Sequence, residues 1–404
     1  MRWVGLDVHA SESTMAVFDD GTGELACRRV PGRPHELLPW LRGISQPSRA
    51  VYEAGPTGYG LVRRAAAEGI DVRVCAPGRS DRATTRVKTD RRDAVRLARL
   101  LAAGELRLVV VPSVEHEQLR DVVRCREDIR ADLMRARHRL SKFLLRREIY
   151  YPGPGKPWTI AHRHWLAQLQ PVDRASQLTL ADYLHAHDVL IARRDRIEAE
   201  LETLATSSPW MTTIARLRCL RGISTLSALG LCAEIGDFER FAHPDELAAY
   251  LGLVPSEHTS GERRRQGSIT KAGSSHARRL LVEAAYHYRH RPSVGETLQR
   301  RQRGQNPAVI DAAWRTQRGL NARWQHLRSI RGKPNGVVAI AEVLGYPAPA
   351  YQSDRPRREQ ALSVPPRATK PTHQPRQHHH DNPCPLTEQR PYQNSGCRWP
   401  SSSS

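Results

Sequence analysis

The chain is short of negative charge, of aromatic residues and of long apolar runs, and each shortage excludes something. Asp and Glu number 42 against 63 Lys and Arg, which leaves a formal net charge of +21 over 404 residues. An excess of that size concentrates polyanions, and the commonest polyanion inside a cell is nucleic acid. No apolar run approaches the roughly 20 residues of a membrane-spanning helix. The opening "MRWVGLDVHA" holds no apolar core of signal-peptide length. A membrane is therefore excluded as the expected partner, and a cytoplasmic location is expected. Cysteines stand at positions 27, 75, 125, 219, 232, 384 and 397 with no C-x-x-C pair, which argues against a disulfide framework or a zinc knuckle.

What is present divides into four stretches. Residues 1–112 carry short apolar runs ("RWVGLDV", "TMAVFDD", "RAVYEA", "IDVRVCAP") separated by helical patterns ("HELLPWLRGI", "YGLVRRAAAEG"). The turn "DDGTGE" reads as a hairpin. Strands in a row and then alternating with helices predict an α/β sheet with an antiparallel edge. Over 113–206 the spacing changes to threes and fours: Leu119, Val122, Arg126, Ile129, Leu133, Ala136, Leu140 and Phe143, then Tyr183, His187, Leu190, Arg194, Ile197, Leu201 and Leu204. Two matching seams around a Pro/Gly break predict an antiparallel coiled-coil arm, able to pair with a second protomer; a plain helical hairpin is the simpler alternative. Residues 207–349 read as a compact, mostly helical domain with glycine turns. Residues 350–404 are rich in Pro, Arg, Gln, His and Ser, and are expected to be a disordered basic tail.

Four carboxylates interrupt the first stretch. Asp7 ends the first apolar run and Glu53 the fourth, and a charge there is costly without a partner. Asp90 and Asp93 open a helix in "KTDRRDAVRLARLLAAG". Helix starts favour acids, so Asp90 could be an N-cap and Asp93 a solvated neighbour. Taken with Asp7 and Glu53, however, the pair could face one point beyond the strand ends, where ligand sites form in open sheets. Four converging carboxylates need cations to stay ionised together. Two Mg²⁺ about 4 Å apart would satisfy them and clamp a phosphodiester.

The segments "GLDVHA", "YEAGPTGYG" and "KTDRRDA" resemble the three motifs of the DEDD transposases of the IS110 insertion-sequence family, over about residues 1–345. That resemblance implies an RNase H-like (RuvC-like) first domain, with Asp7, Glu53, Asp90 and Asp93 as the catalytic metal tetrad. It also implies DNA as substrate and a noncoding bridge RNA as guide. In "EHTSGERRRQGSITKAGSSHARRLL" it makes Ser260 a catalytic nucleophile that links covalently to DNA; Ser256, Ser268, Ser274 and Ser275 stand close by, and spacing alone does not exclude them. Lys88, Arg263, Arg264, Arg265, Lys271, Arg278 and Arg279 are the expected nucleic-acid-binding cations, since clustered guanidiniums suit a phosphate oxyanion. Upstream, "LRGISTLSALGLCAEIGD" resembles a helix-hairpin-helix, with Ser224 where the family usually has glycine. Three other readings compete. One is an actin-like sugar kinase, which "DVHASES" opposes because His9 and Glu12 stand where small residues would admit phosphate. The others are an inactive nucleic-acid-binding relative and a RuvC-like nuclease without serine chemistry.

Overall fold

The structure, a computed structural model, describes residues 1–77, 89–260, 263–330 and 332. Lys88 and the expected tail from 350 onward lie outside the described residues.

Three strands form a meander: β1 (Arg2–Val8), β2 (Glu12–Asp19) and β3 (Leu25–Pro31). The expected turn joins β2 to β3, with Gly23 at φ 75° and Asp19 Oδ1 accepting the Gly21 N–H at 2.9 Å. A 3-10 turn at Pro34–Leu37 and the short helix α1 (Leu38–Arg42) lead to β4 (Ser48–Glu53), α2 (Gly60–Ala67) and β5 (Val72–Cys75). The sheet order is β3-β2-β1-β4-β5, with β1 antiparallel to β2 and parallel to β4. Parallel neighbours need crossover connections, and helices accordingly begin only after β3. The expected exit segment lies along β5, where the Val109 N–H donates to Val74 O at 2.7 Å.

Strand alternation sorts the side chains. Val4, Leu6, Ala50 and Tyr52 pack with Leu37, Leu41 and Leu61 on one face. The other face is covered by α3 (Asp90–Ala102). Its Leu97 and Leu101 cover Val51 and Cys75, and its Ala94 and Ala98 cover Ala16. Gly5 permits this contact: a Cβ there would stand 2.0 Å from the Ala94 carbonyl oxygen. Backbone meets backbone, so α3 lies directly on β1.

The arm is built from α4 (Val114–Leu145) and α6 (Arg174–Ser207), with α5 (Ile160–Gln168) packed at the far end. Leu119, Ile129, Leu133, Ala136, Leu140 and Phe143 are buried as the spacing predicts. Pairings run from Arg126–Glu198 through Arg137–His187 to Arg147–Ser176, so the helices are antiparallel. Glu198 explains the arginine in the seam. Leu204, placed in the seam by sequence, is 38% exposed, and Ala205 is buried instead. A 3.6-residue helix drifts against a strict seven-residue repeat, and by the last turns the slip reaches one position.

The C-terminal half gathers α7 (Met211–Leu217), α8 (Thr225–Ile235), α9 (Pro244–Tyr250), α10 (Ser275–Ala285), α11 (Glu296–Gln302) and α12 (Pro307–Gln325). Helix α8 is buried from Ala228 to Ile235, and Leu119 and Val123 of α4 join its core. Ser224 caps α8 by accepting the Ser227 N–H at 3.2 Å. Gly222 takes φ 84° in the α7–α8 turn, where a Cβ would meet Ala284 O at 2.6 Å. The helical expectation omitted one feature, a hairpin of β6 (Pro255–Ser260) and β7 (Arg263–Ile269).

Candidate active site

Register and helix periodicity together build the acidic site. Parallel pairing of Leu6 with Tyr52 brings Asp7 and Glu53 side by side at the ends of β1 and β4. Both stand two residues beyond positions that face α3, namely Gly5 and Val51. On α3, Asp90 precedes Ala94 by one turn, and Ala94 rests on Gly5, so Asp90 comes down over Asp7. Asp93 precedes Leu97, which covers Val51. The D-x-x-D spacing of the helix thus spans two neighbouring strands. Thr89, not Asp90, caps α3 and accepts from the Arg92 N–H. That removes the capping explanation for Asp90.

The carboxylate oxygens of Asp7 and Asp90 and a ring nitrogen of His9 lie within 4.8 Å of one another. Burial pushes the Asp7 carboxyl above its ordinary range; His9 opposes this, and the negative charges of Asp90 and Asp93 reinforce it. The donor set therefore fits a divalent cation: hard carboxylate oxygens at a partly exposed strand end, with repulsion that a cation relieves. Beside it, Arg91, Arg92, Arg96 and Arg99 line an open groove of about 660 Å³ along α3. The sequence reading did not single out these arginines, although the spacing of Arg92, Arg96 and Arg99 is that of one helix face.

Ser260 belongs to a different element and a different core. It ends β6, and the backbone register sets it opposite Arg263, with Thr259 opposite Arg264 and His258 opposite Arg265. The base of the hairpin is held by close backbone approach: a Cβ on Gly273 would stand 2.1 Å from Tyr250 O, and one on Gly252 the same distance from Ala272 N. Lys271 is exposed there at φ 55°. Arg278 donates to the carbonyls of Leu251, at 2.8 Å, and Gly273, at 3.2 Å. Arg279 pairs with Glu283 at 2.7 Å and with Glu127 of α4. Both guanidiniums, expected to hold nucleic acid, are engaged by protein acceptors.

Sequence reasoning also missed a second acidic cluster. Glu234 is 4% exposed inside α8 and receives both the Nε and an Nη of Arg124 at 3.1 Å. Burial alone would raise this carboxyl; the neighbouring His276 ring, 3.5 Å away, and the pair with Arg124 overcome it and bring it down to about 2. Glu127 completes the network with Arg130 and Arg279.

Two family models match the chain. One describes a DEDD transposase and covers residues 4–148; the other describes the transposase IS116/IS110/IS902 family and covers residues 214–299. The chain is 37% identical over 345 residues to y4qE of Sinorhizobium fredii, a protein named as a transposase, covering 84% of this chain and 85% of that one. It is 29% identical over 342 residues to the transposase for insertion sequence element IS1533 of Leptospira borgpetersenii, covering 82% and 98%. The DEDD match implies an RNase H-like fold, and the mixed sheet clad by helices on both faces agrees with it.

Proposed function

Because the chain belongs to the IS116/IS110/IS902 family of transposases, we propose that it moves an insertion sequence with two half-sites, the carboxylates at the end of β1 and the serine of the β6–β7 hairpin. The observation that carries this reading is the convergence of Asp7 and Asp90, with Glu53 beside Asp7 in register. Divalent ions held by Asp7, Glu53, Asp90 and Asp93, two Mg²⁺ in this reading, would polarise a phosphodiester and offset its charge.

The chain's own residues do the rest. The α3 groove with Arg91, Arg92, Arg96 and Arg99 lies on the same helix as Asp90 and Asp93 and tracks a DNA backbone. Lys271 and the hairpin arginines Arg263, Arg264 and Arg265 grip the scissile phosphate from the other side. Ser260 Oγ attacks phosphorus. The Oγ–P bond forms, one P–O bond to a sugar breaks, the sugar oxygen takes up a proton and the serine proton leaves to solvent. The phosphoserine retains the ester energy, and a second sugar hydroxyl reverses the step to rejoin the strand. A noncoding guide RNA and two DNA duplexes suit the +21 charge. The arm carries exposed Met134 and Val189, at 39% and 43%, at one level of the hairpin, and joins two protomers as a coiled coil so that cleavage waits for assembly.

A trapped reaction of the wild-type protein with element-end DNA and guide RNA should yield DNA covalently attached at Ser260, located by peptide mass spectrometry. Ser260→Ala should bind DNA and form no adduct. An adduct retained in Ser260→Ala would transfer the role to another serine. Recombination by wild type with no adduct would mean direct attack by water or a DNA 3′-OH.

A further inference from the structure

The four acids do not exhaust the donors at the end of β1. His9 follows Asp7 by two residues, and the alternation of the strand carries it to the same side. Its backbone is fixed: the His9 N–H donates to Glu12 O at 3.2 Å, closing the short turn to β2, and the Gly32 N–H holds Ser11 O at 2.8 Å. The ring Nε2 then stands 3.4 Å from Asp7 Oδ2. Asp90 offers a carboxylate oxygen within 4.8 Å of both. Neighbouring donors on an octahedral ion with bonds of 2.0–2.1 Å are about 3 Å apart, and opposite ones about 4 Å. Small rotations of three side chains reach that geometry.

We propose that His9 is a ligand, through Nε2, of the divalent ion held by Asp7 and Asp90, and that its imidazole gives the site a preference for Mn²⁺ over Mg²⁺. The proposal rests on the reading of the acidic cluster as a metal site. Mg²⁺ favours carboxylate and water oxygens, whereas imidazole nitrogen favours the transition metals. The nitrogen also adds coordination without adding negative charge, in a place that a phosphate must approach. The competing role for His9 is an ordinary ion pair with Asp7, in which the ring is protonated and binds no metal. The two roles place opposite demands on the same nitrogen, a lone pair in one and a proton in the other, so they are separable by spectroscopy.

The test uses the full chain, Mn²⁺ as probe, and no DNA. Mn²⁺ binding is titrated by electron paramagnetic resonance, and pulsed measurements report ¹⁴N coupled to the bound ion. Wild type should show imidazole ¹⁴N modulation, and His9→Ala should lose it. The Mn²⁺ affinity of His9→Ala should fall at least about tenfold, the scale on which ligand-sphere changes act. Mg²⁺ should then displace Mn²⁺ at a concentration lower by the same factor. Asp7→Asn serves as the control. If Asp7→Asn abolishes Mn²⁺ binding but wild type shows no ¹⁴N coupling, or keeps it in His9→Ala, the role of His9 is overturned while the metal site stands. If Mn²⁺ binding is indifferent to Asp7→Asn, the carboxylate site itself is wrong and the proposal goes with it.

Discussion

Two acidic clusters occupy this molecule, and they are opposite in design. Around Glu234 and Glu127 every carboxylate meets a guanidinium: Arg124 on Glu234, Arg130 and Arg279 on Glu127. Charge is balanced inside the protein, and the Glu234 carboxyl is held down at about 2. At the end of β1, Asp7, Asp90 and Asp93 crowd one another, His9 is the basic group paired with Asp7, and the Asp7 carboxyl is pushed up. One cluster is complete as folded. In the other, burial and the neighbouring carboxylates both act against the charge on Asp7.

The comparison can be broken most sharply at Asp90. Asp90→Asn should lower strand transfer on the order of a thousandfold, equivalent to about 4 kcal/mol. Thermal unfolding should shift by no more than about 1 kcal/mol, the scale of a helix-start charge. A large stability loss would place Asp90 with the structural acids. Glu234→Gln should do the reverse and destabilise the chain by about 2–3 kcal/mol. The loss stays below that of a fully buried pair because Arg124 is 56% exposed and can reach water. The sign of the pH effect follows. A carboxyl depressed to about 2 contributes fully above the ordinary glutamate range and loses that contribution as pH falls through 2. Acid unfolding of Glu234→Gln should lack this component, and parallel curves for variant and parent would show that the network is not ionic. Gly5→Ala should cost about 3 kcal/mol, the upper end of overpacking, because the atoms it meets are backbone. The added methyl meets Ala94 O and lifts α3 from β1, so Mn²⁺ affinity should fall as well. A variant that keeps full affinity would mean the acids are not positioned by that contact.

The approach of Asp90 to Asp7 was legible because charge at the end of an apolar strand is a conspicuous violation, and because α3 carries its apolar positions three and four apart. The arm seam was legible for the same reason, although Leu133 proves to be buried within the chain's own hairpin, so a charge there would disrupt the arm itself. The β6–β7 hairpin was not legible. "TSGERRRQGS" alternates no apolar residues, and the hairpin is held instead by the backbone contacts at Gly252 and Gly273. Glu234 was hidden in the apolar run "LGLCAEIGD", since its partner Arg124 lies 110 residues earlier. His9 lay inside a motif and was weighed only as an obstacle to phosphate, because a strand end lengthened by two residues carries no periodic signal.

Helix α4 has a mechanical consequence. Its first turns are gripped from both sides: Arg63 of α2 holds Glu117 at 2.6 Å, while Arg120 reaches Ala233 O at 2.9 Å and Glu127 takes Arg279 of α10. The remaining turns, out to Leu145, project as one uninterrupted rod. At 1.5 Å per residue the helix is roughly 48 Å long, with more than half beyond the clamp. It is therefore a shaft with two fittings near one end and, at the other, a handle shared with α5 and α6. Torque applied at the handle turns the sheet and the serine-bearing half together and leaves their mutual setting unchanged.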